Sequence, residues 1–463
     1  MRNTVIRLIY GAVLFVATVF VLELLTHQRT TAVTADMAAA ALPVVSMKTV
    51  GKTVNELHGF VSERDEAHFR APIAPAGEDR QVSFIVNSYG KEPGALSFEL
   101  RTIDGERLIE EGEITDRSLL EDGRTEASFS FKDLIEKDTE YMLVLLLSGE
   151  KAEPVRYYTR LIECDETAVS EELAFAQRFH DDALSGGGGG TVRQVMETSA
   201  EGDNSSFAEV TIHSDLAQVT YGDLAPTELV PPVTAITDLQ SETCMLQMDY
   251  ILSIAADGGN VKFRCTEYYR LRRGTDRVYL IDYRRTMEQI LDPELKQNYA
   301  SDLISLGIVR DVQFMESDGG SACAFVNAGR LYAVTPSSSE LTQVFAFGEP
   351  GTLDERENFQ NYGIRILDVD ETGAIDFLVY GYMNRGEHEG EIGAAVYSYN
   401  GEYHTVEETA FIPYGGSYEL LRTQAETLSY YNTRNSTLFL LLNETIYEVN
   451  TAAHTVQAAA AMS

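Results

Sequence analysis

The residues best spaced for chemistry are Asp368, Asp370, Thr372 and Asp376, in a stretch that reads D-x-D-x-T-G-x-x-D. Hard cations such as calcium take several oxygens from one tight loop, and a glycine, here Gly373, permits the sharp turn. A calcium-binding loop is therefore one reading of this stretch. The loop is not an EF-hand, because its twelfth position is Val379 rather than Glu. The plainer alternative is a polar turn between two strands of an acidic protein.

A second constellation is a basic island between Arg264 and Arg285. Arg264, Arg270, Arg272, Arg273, Arg277, Arg284 and Arg285 alternate there with Tyr268, Tyr269, Tyr279 and Tyr283. Guanidinium groups among aromatic rings suit an anionic polymer or an acidic partner. The alternative is a solvated hairpin face balanced by Glu267, Asp276 and Asp282, since adjacent strands commonly pair opposite charges. A third stretch, Glu387-His388-Glu389-Gly390-Glu391, has residues for metal or acid–base work. Its glycine-flanked charges suit a solvated hairpin tip better. No HExxH, GxSxG or Walker sequence occurs, so no catalytic residue is assigned.

The composition narrows the partners. Among 463 residues, 72 are acidic and 36 basic, a formal charge of −36. A surface that acidic repels phosphate backbones, which argues against nucleic acid. Four cysteines, Cys164, Cys244, Cys265 and Cys323, form no CxxC pair and are read as free thiols. A hairpin turning between Gly258 and Gly259 would set Cys244 opposite Arg273, a poor geometry for bridging Cys265.

The elements that must carry these residues are mostly strands. Leu8 to Leu25 is apolar but for Glu23 and follows Arg2 and Arg7. That pattern predicts a transmembrane anchor with a cytoplasmic N-terminus, so residues 1–30 are read as tip and anchor at the cell membrane. A cleaved signal peptide ending near Ala35 is the rival. Residues 31–49 read as a stalk. Over 50–162, short alternating runs such as VSFIVNSY and ALSFELRTI, divided by turn signals, predict an antiparallel β-sandwich. Residues 163–205 read as a helix capped by Ser170, with Leu173, Ala176 and Phe179 on one stripe, then a flexible linker at Gly186 to Gly190. A second helix is predicted from Asp292 to Gly307.

Residues 206–463 read as a propeller-like domain. From Val309 onward, sets of four short strands recur with starts near Val309, Ile364 and Tyr418. Four-stranded units repeating at roughly 40–50 residues mark β-propeller blades, and these three, with one or two more from 206–286, make a ring that is not evidently complete. The runs AFVNAGRLYAV, YSYNGEYHTV and LLLNETIYEV resemble such blades, and the Asp368 loop is similar to the D-x-D-x-D-G-x-x-D loops of FG-GAP blades. The resemblance implies ligands at Asp368, Asp370, Thr372 and Asp376, with Thr372 replacing the family's third Asp. The chain also resembles the extracytoplasmic part of single-pass proteins from Gram-positive bacteria. The expected fold is therefore mainly β: anchor, sandwich and propeller-like head. The expected function is a membrane-anchored, extracytoplasmic binding or scaffold protein without catalysis, with a protein or cell-envelope polymer as partner. A regulatory partner of a membrane sensor or transporter, and a cell-surface hydrolase acting in the propeller channel, are the alternatives.

Overall fold

The computed structural model describes residues 30–32, 37–64, 70–148, 153–256, 259–295, 298–300, 303–310, 312–335 and 340–461. The chain is mainly β, in several separate sheets. Two five-stranded sheets form first. One orders its strands Lys52–His58, Val44–Thr49, Gln81–Asn87, Thr125–Ser130 and Asp116–Leu119. The other orders Ile73–Ala76, Val155–Glu163, Glu140–Leu147, Leu96–Thr102 and Leu108–Ile114. Its first two strands pair in parallel, so this part is not purely antiparallel. Alternation sets which face is buried: Leu96, Phe98 and Leu100 are buried, whereas Ser97, Glu99 and Arg101 between them are only half-buried. Phe98 stacks on Phe129 of the facing sheet at 4.0 Å between ring centroids.

A third sheet has strands Thr227–Leu239, Thr243–Ala256, Gly259–Arg273 and Val278–Ile290, with Glu209–Thr211 on its edge. Ala256 pairs with Gly259, so Cys244 lies opposite Leu271 and not Arg273. All four cysteines are free. The long helix Glu166–Leu184 covers this sheet. Its N-cap is Asp165, whose carboxylate accepts from Thr167 N, so the helix starts before the expected cap at Ser170. Leu173, Ala176 and Phe179 are buried, and Phe179 packs against Tyr269 and Tyr283. The glycine run folds back over the helix end. Gly189 N and Val192 N donate to the Asp182 carboxylate, and a Cβ on Gly189 would meet Asp182 Oδ1 at 2.7 Å.

Between helix and sheet lies a buried polar network centred on Glu267. Its Oε1 accepts from Tyr283 at 2.9 Å and Tyr250 at 3.1 Å; its Oε2 accepts from Tyr269 at 2.6 Å and meets His180 Nδ1 at 2.9 Å. His180 Nε2 faces Glu228 Oε1 at 3.0 Å. Both ring nitrogens thus face carboxylates, and both must donate, which makes His180 a cation. Burial opposes that charge, but Glu267 and Glu228 outweigh it and raise the imidazole pKa. Burial likewise works against the Glu267 anion, yet His180, Tyr269 and Arg285 hold its pKa below the usual range. Arg285 completes the group, 3.7 Å over the Tyr221 ring and donating to Val219 O and Gln218 O.

Three four-stranded antiparallel meanders follow, over residues 313–345, 362–413 and 429–461. Thr30–Ala32 adds to the first in parallel, and Val44–Thr49 belongs to an N-terminal sheet, so the expected stalk enters two sheets. The second meander is buried on both faces. Ile375, Phe377 and Val379 pack toward the first, while Leu378, Tyr380 and Tyr382 pack toward the third. Met142, Val144 and Tyr158 of the N-terminal part join the latter core.

The propeller reading is corrected here: the meanders stack in a row and no closed ring forms among the described residues. The expected helix at Asp292–Gly307 is also absent where described. A turn at Asp292 leads to a small pair, Tyr299–Ala300 with Leu303–Ile304. Of the leucines in that stretch, Leu295 packs with the long-stranded sheet, Leu306 with the first meander, and Leu303 is exposed. The expected anchor, Leu8 to Leu25, lies outside the described residues. Among the described residues no helix is long and apolar enough to cross a membrane, so the single-pass, cell-membrane placement is not carried by the fold.

Two measurements test this core. Glu267→Gln removes the charge that four donors share, and urea unfolding should show a loss of about 3–5 kcal/mol. An unchanged midpoint would mean that the network contributes nothing. Glu172 carries the opposite sign. It is fully buried, neither oxygen accepts an N–H or O–H, and burial pushes its pKa up to about 7 against the pull of Arg273. The folded state then holds a proton that the unfolded chain has released. Stability should fall by on the order of 3 kcal/mol as pH rises from 4.5 to 7. Glu172→Gln should flatten that slope in thermal unfolding across the same range.

Candidate functional site

The Asp368 loop joins two strands, and Asp368 faces Asp376 across them. Asp370 sits at the turn. Its Oδ1 accepts from Thr372 N at 2.8 Å, Thr372 Oγ1 at 2.7 Å and Ala374 N at 2.9 Å. Gly373, at φ +80°, makes the turn possible. Asp376 points toward the third meander and accepts from Thr451 Oγ1 at 2.6 Å, Ser398 Oγ at 2.5 Å and the Tyr431 hydroxyl. Burial, then the neighbouring Asp376, raises the pKa of Asp368. Among the described residues no three His, Cys, Asp or Glu side chains are grouped to hold a metal ion. The loop's evident work is mechanical. Glu371, which the ligand pattern passes over, accepts from Gly319 N, Ser317 Oγ and Ser321 Oγ of the first meander. With Asp376 gripping the third, the loop staples three meanders together.

The Glu387–Glu391 stretch is also committed to packing. Glu389 Oε1 accepts from Ala41 N at 2.7 Å and Leu42 N at 2.9 Å. His388 stacks on Phe411 at 3.8 Å and meets Glu408 at 2.9 Å. These side chains hold the N-terminal segment against the second meander rather than converging on a reacting atom.

The arginine island divides by the two-residue period of its strands. Arg285 points inward with Glu267, so Glu267 does not balance the outward arginines. Arg264, at one end of the outer face, donates to Asn358 O and is covered there. Arg273 lies near Asp165 and Glu172. Arg270, Arg272 and Arg284 remain exposed on the outer face, and Arg277 at the hairpin tip. They lie beside aromatic rings: Arg284 is 4.7 Å from the Tyr268 centroid, and Arg277 and Arg272 are 4.5 and 5.7 Å from that of Tyr279. Asp282 is set opposite Arg270 in register. Yet among the described residues none of these four arginines has a carboxylate within ion-pair distance. Met245 and Ile281, 42% and 41% exposed, complete the patch. Sequence alternation could have separated this face from the buried one. Nothing in the sequence indicated His180, Glu228, Glu172 or Glu371, whose partners lie tens to hundreds of residues away.

No protein-family model matches the sequence, and no curated protein does. Among solved structures, the chain is similar to a DUF4784 family protein from Bacteroides caccae at 8% identity. That match covers 85% of this chain and 95% of the other, with a TM-score of 0.18. A DUF4785 family protein from Legionella pneumophila matches at 6% identity, over 58% of this chain and 52% of the other, with a TM-score of 0.15. Likenesses at these scores carry no argument. The expected kinship with FG-GAP propeller blades and with membrane-anchored proteins of Gram-positive bacteria is overturned: no family model matches, no closed ring forms among the described residues, and no described helix is long and apolar enough to cross a membrane.

The turn geometry gives a direct check on the loop. Asp370→Ala removes three hydrogen bonds to a carboxylate and should cost about 1–3 kcal/mol in thermal unfolding with chelator present. If the variant and the parent melt together in chelator, those bonds contribute nothing, and the carboxylate is free for a cation.

Proposed function

We propose that the protein is a non-catalytic binding module that takes an acidic protein partner on the outer face of its long-stranded sheet. One observation carries the reading. In a chain of net charge −36, four clustered arginines, Arg270, Arg272, Arg277 and Arg284, form no ion pair among the described residues. With more than enough acidic side chains to pair them, an unpaired cluster suits carboxylates from another molecule. Arg, Tyr and Met are also the side chains enriched at interface cores, and the patch is built of them. The rings beside Arg284 and Arg277 limit guanidinium motion, which reduces the ordering cost on binding.

The rest of the surface shapes the partner. A long polyanion would meet repulsion beyond the patch, within a screening length of about 8 Å at physiological salt. A protein segment with a few carboxylates and an apolar side chain fits Arg270, Arg272, Met245 and Ile281 without that penalty. Glu267 and Arg285 beneath hold the strands rigid, so the face is preorganised.

A fluorescently labelled peptide with blocked termini, alternating Glu with Leu and Tyr, serves as the probe. Anisotropy should show binding that weakens with salt and falls about tenfold or more in Arg270→Gln/Arg272→Gln. Equal binding by that variant, or no dependence on salt, would remove this face as the recognition surface.

A further inference from the structure

A separate cleft of about 740 Å³ opens between the long helix, the short helix Thr191–Val195 and the hairpin tip at 276–280. That volume lies within the roughly 300–1,000 Å³ common to ligand sites. Its apolar lining comes from the half-buried Val195, Met196 and Val278 over the buried Phe175 and Leu280, beside the polar Ser170, Thr191 and Gln194. Charges of both signs line its walls. Arg178 projects from the helix and Arg277 from the hairpin; Glu171, Glu197 and Asp276 lie around them. Among the described residues, neither arginine forms an ion pair with any of the three carboxylates. The fold therefore holds opposite charges apart beside a half-exposed apolar lining. Lys52, near enough for Arg178 to help lower its pKa after burial, adds positive potential at the helix side.

We propose that this cleft binds the C-terminus of a peptide, with the terminal carboxylate on Arg178 and Arg277 and an apolar last side chain on a floor of Val195, Met196 and Val278. The chemistry selects each part. A monovalent carboxylate matches the guanidinium fork, whereas a phosphate dianion would meet three nearby carboxylates. An apolar side chain removes the floor from water. A basic residue upstream meets Glu171, Glu197 or Asp276. This site shares Arg277 and Tyr279 with the margin of the outer face but takes a different ligand group, a chain terminus rather than side-chain carboxylates.

The test uses the full chain and the pentapeptide Ala-Lys-Ala-Lys-Leu, as free acid and as C-terminal amide, in isothermal titration. The acid should bind, and the amide should bind about tenfold more weakly or worse. Arg178→Gln/Arg277→Gln should weaken the acid to the level of the amide. Both positions are exposed and form no ion pair among the described residues, so folding should be unaffected, which circular dichroism checks. Arg270→Gln/Arg272→Gln should leave peptide binding unchanged while reducing the blocked acidic probe. The proposal is overturned if the acid does not bind, if acid and amide bind alike, or if only the outer-face variant loses the peptide.

Discussion

The carboxylate of Glu267 is the constraint on which the middle of this protein depends. It is fully buried, and an isolated anion there would cost several kcal/mol. It persists because three tyrosine hydroxyls and the His180 imidazole converge on its two oxygens. Each donor comes from a separate stretch of chain, so satisfying the charge sets the helix, the two central strands and the last strand in one relation. Arg285 and Glu228 balance the remaining charge. A core of leucines in the same space would be easier to bury but less particular about where the helix lies.

From that centre, strands buried on both faces carry order outward. Glu140–Leu147 gives Leu143 and Leu145 to the core of the paired sheets and Met142 and Val144 to the core of the second meander. Ile375–Tyr382 plays the same part between the first and third meanders. Acidic residues then act at the seams: Glu371 and Asp376 accept donors from the neighbouring meanders, and Glu389 clasps the segment at Ala41. These three carboxylates thus serve as hydrogen-bond acceptors in the joints. The arginines are left over, and the strand period collects them on one open face beside a two-signed cleft.

Much of this architecture was legible in the residues. Alternation in runs such as Leu96–Thr102 determined strands and their buried sides, because side chains of a strand alternate by a local rule. The repeat of short strands after residue 309 pointed to the meanders. Its third unit, however, was expected to start with a strand at Tyr418, where the chain forms the helix Tyr418–Thr427, and the fourth strand is Thr455–Ala461. The arginine–tyrosine interleaving marked the hairpin for the same reason. What local rules could not decide was closure, since three meanders stack alike in a row or a ring, and only the packing of the N-terminal part onto the second meander shows the row. The helix expected at 292–307 failed because Leu295 and Leu306 join different cores and Leu303 is exposed. The Asp368 pattern named carboxylates without their partners. Tertiary structure alone brought Ser317, Ser398, Tyr431 and Thr451 to that loop and His180 to Glu267, because a hydrogen bond is set by proximity in space, which spacing along the chain does not encode.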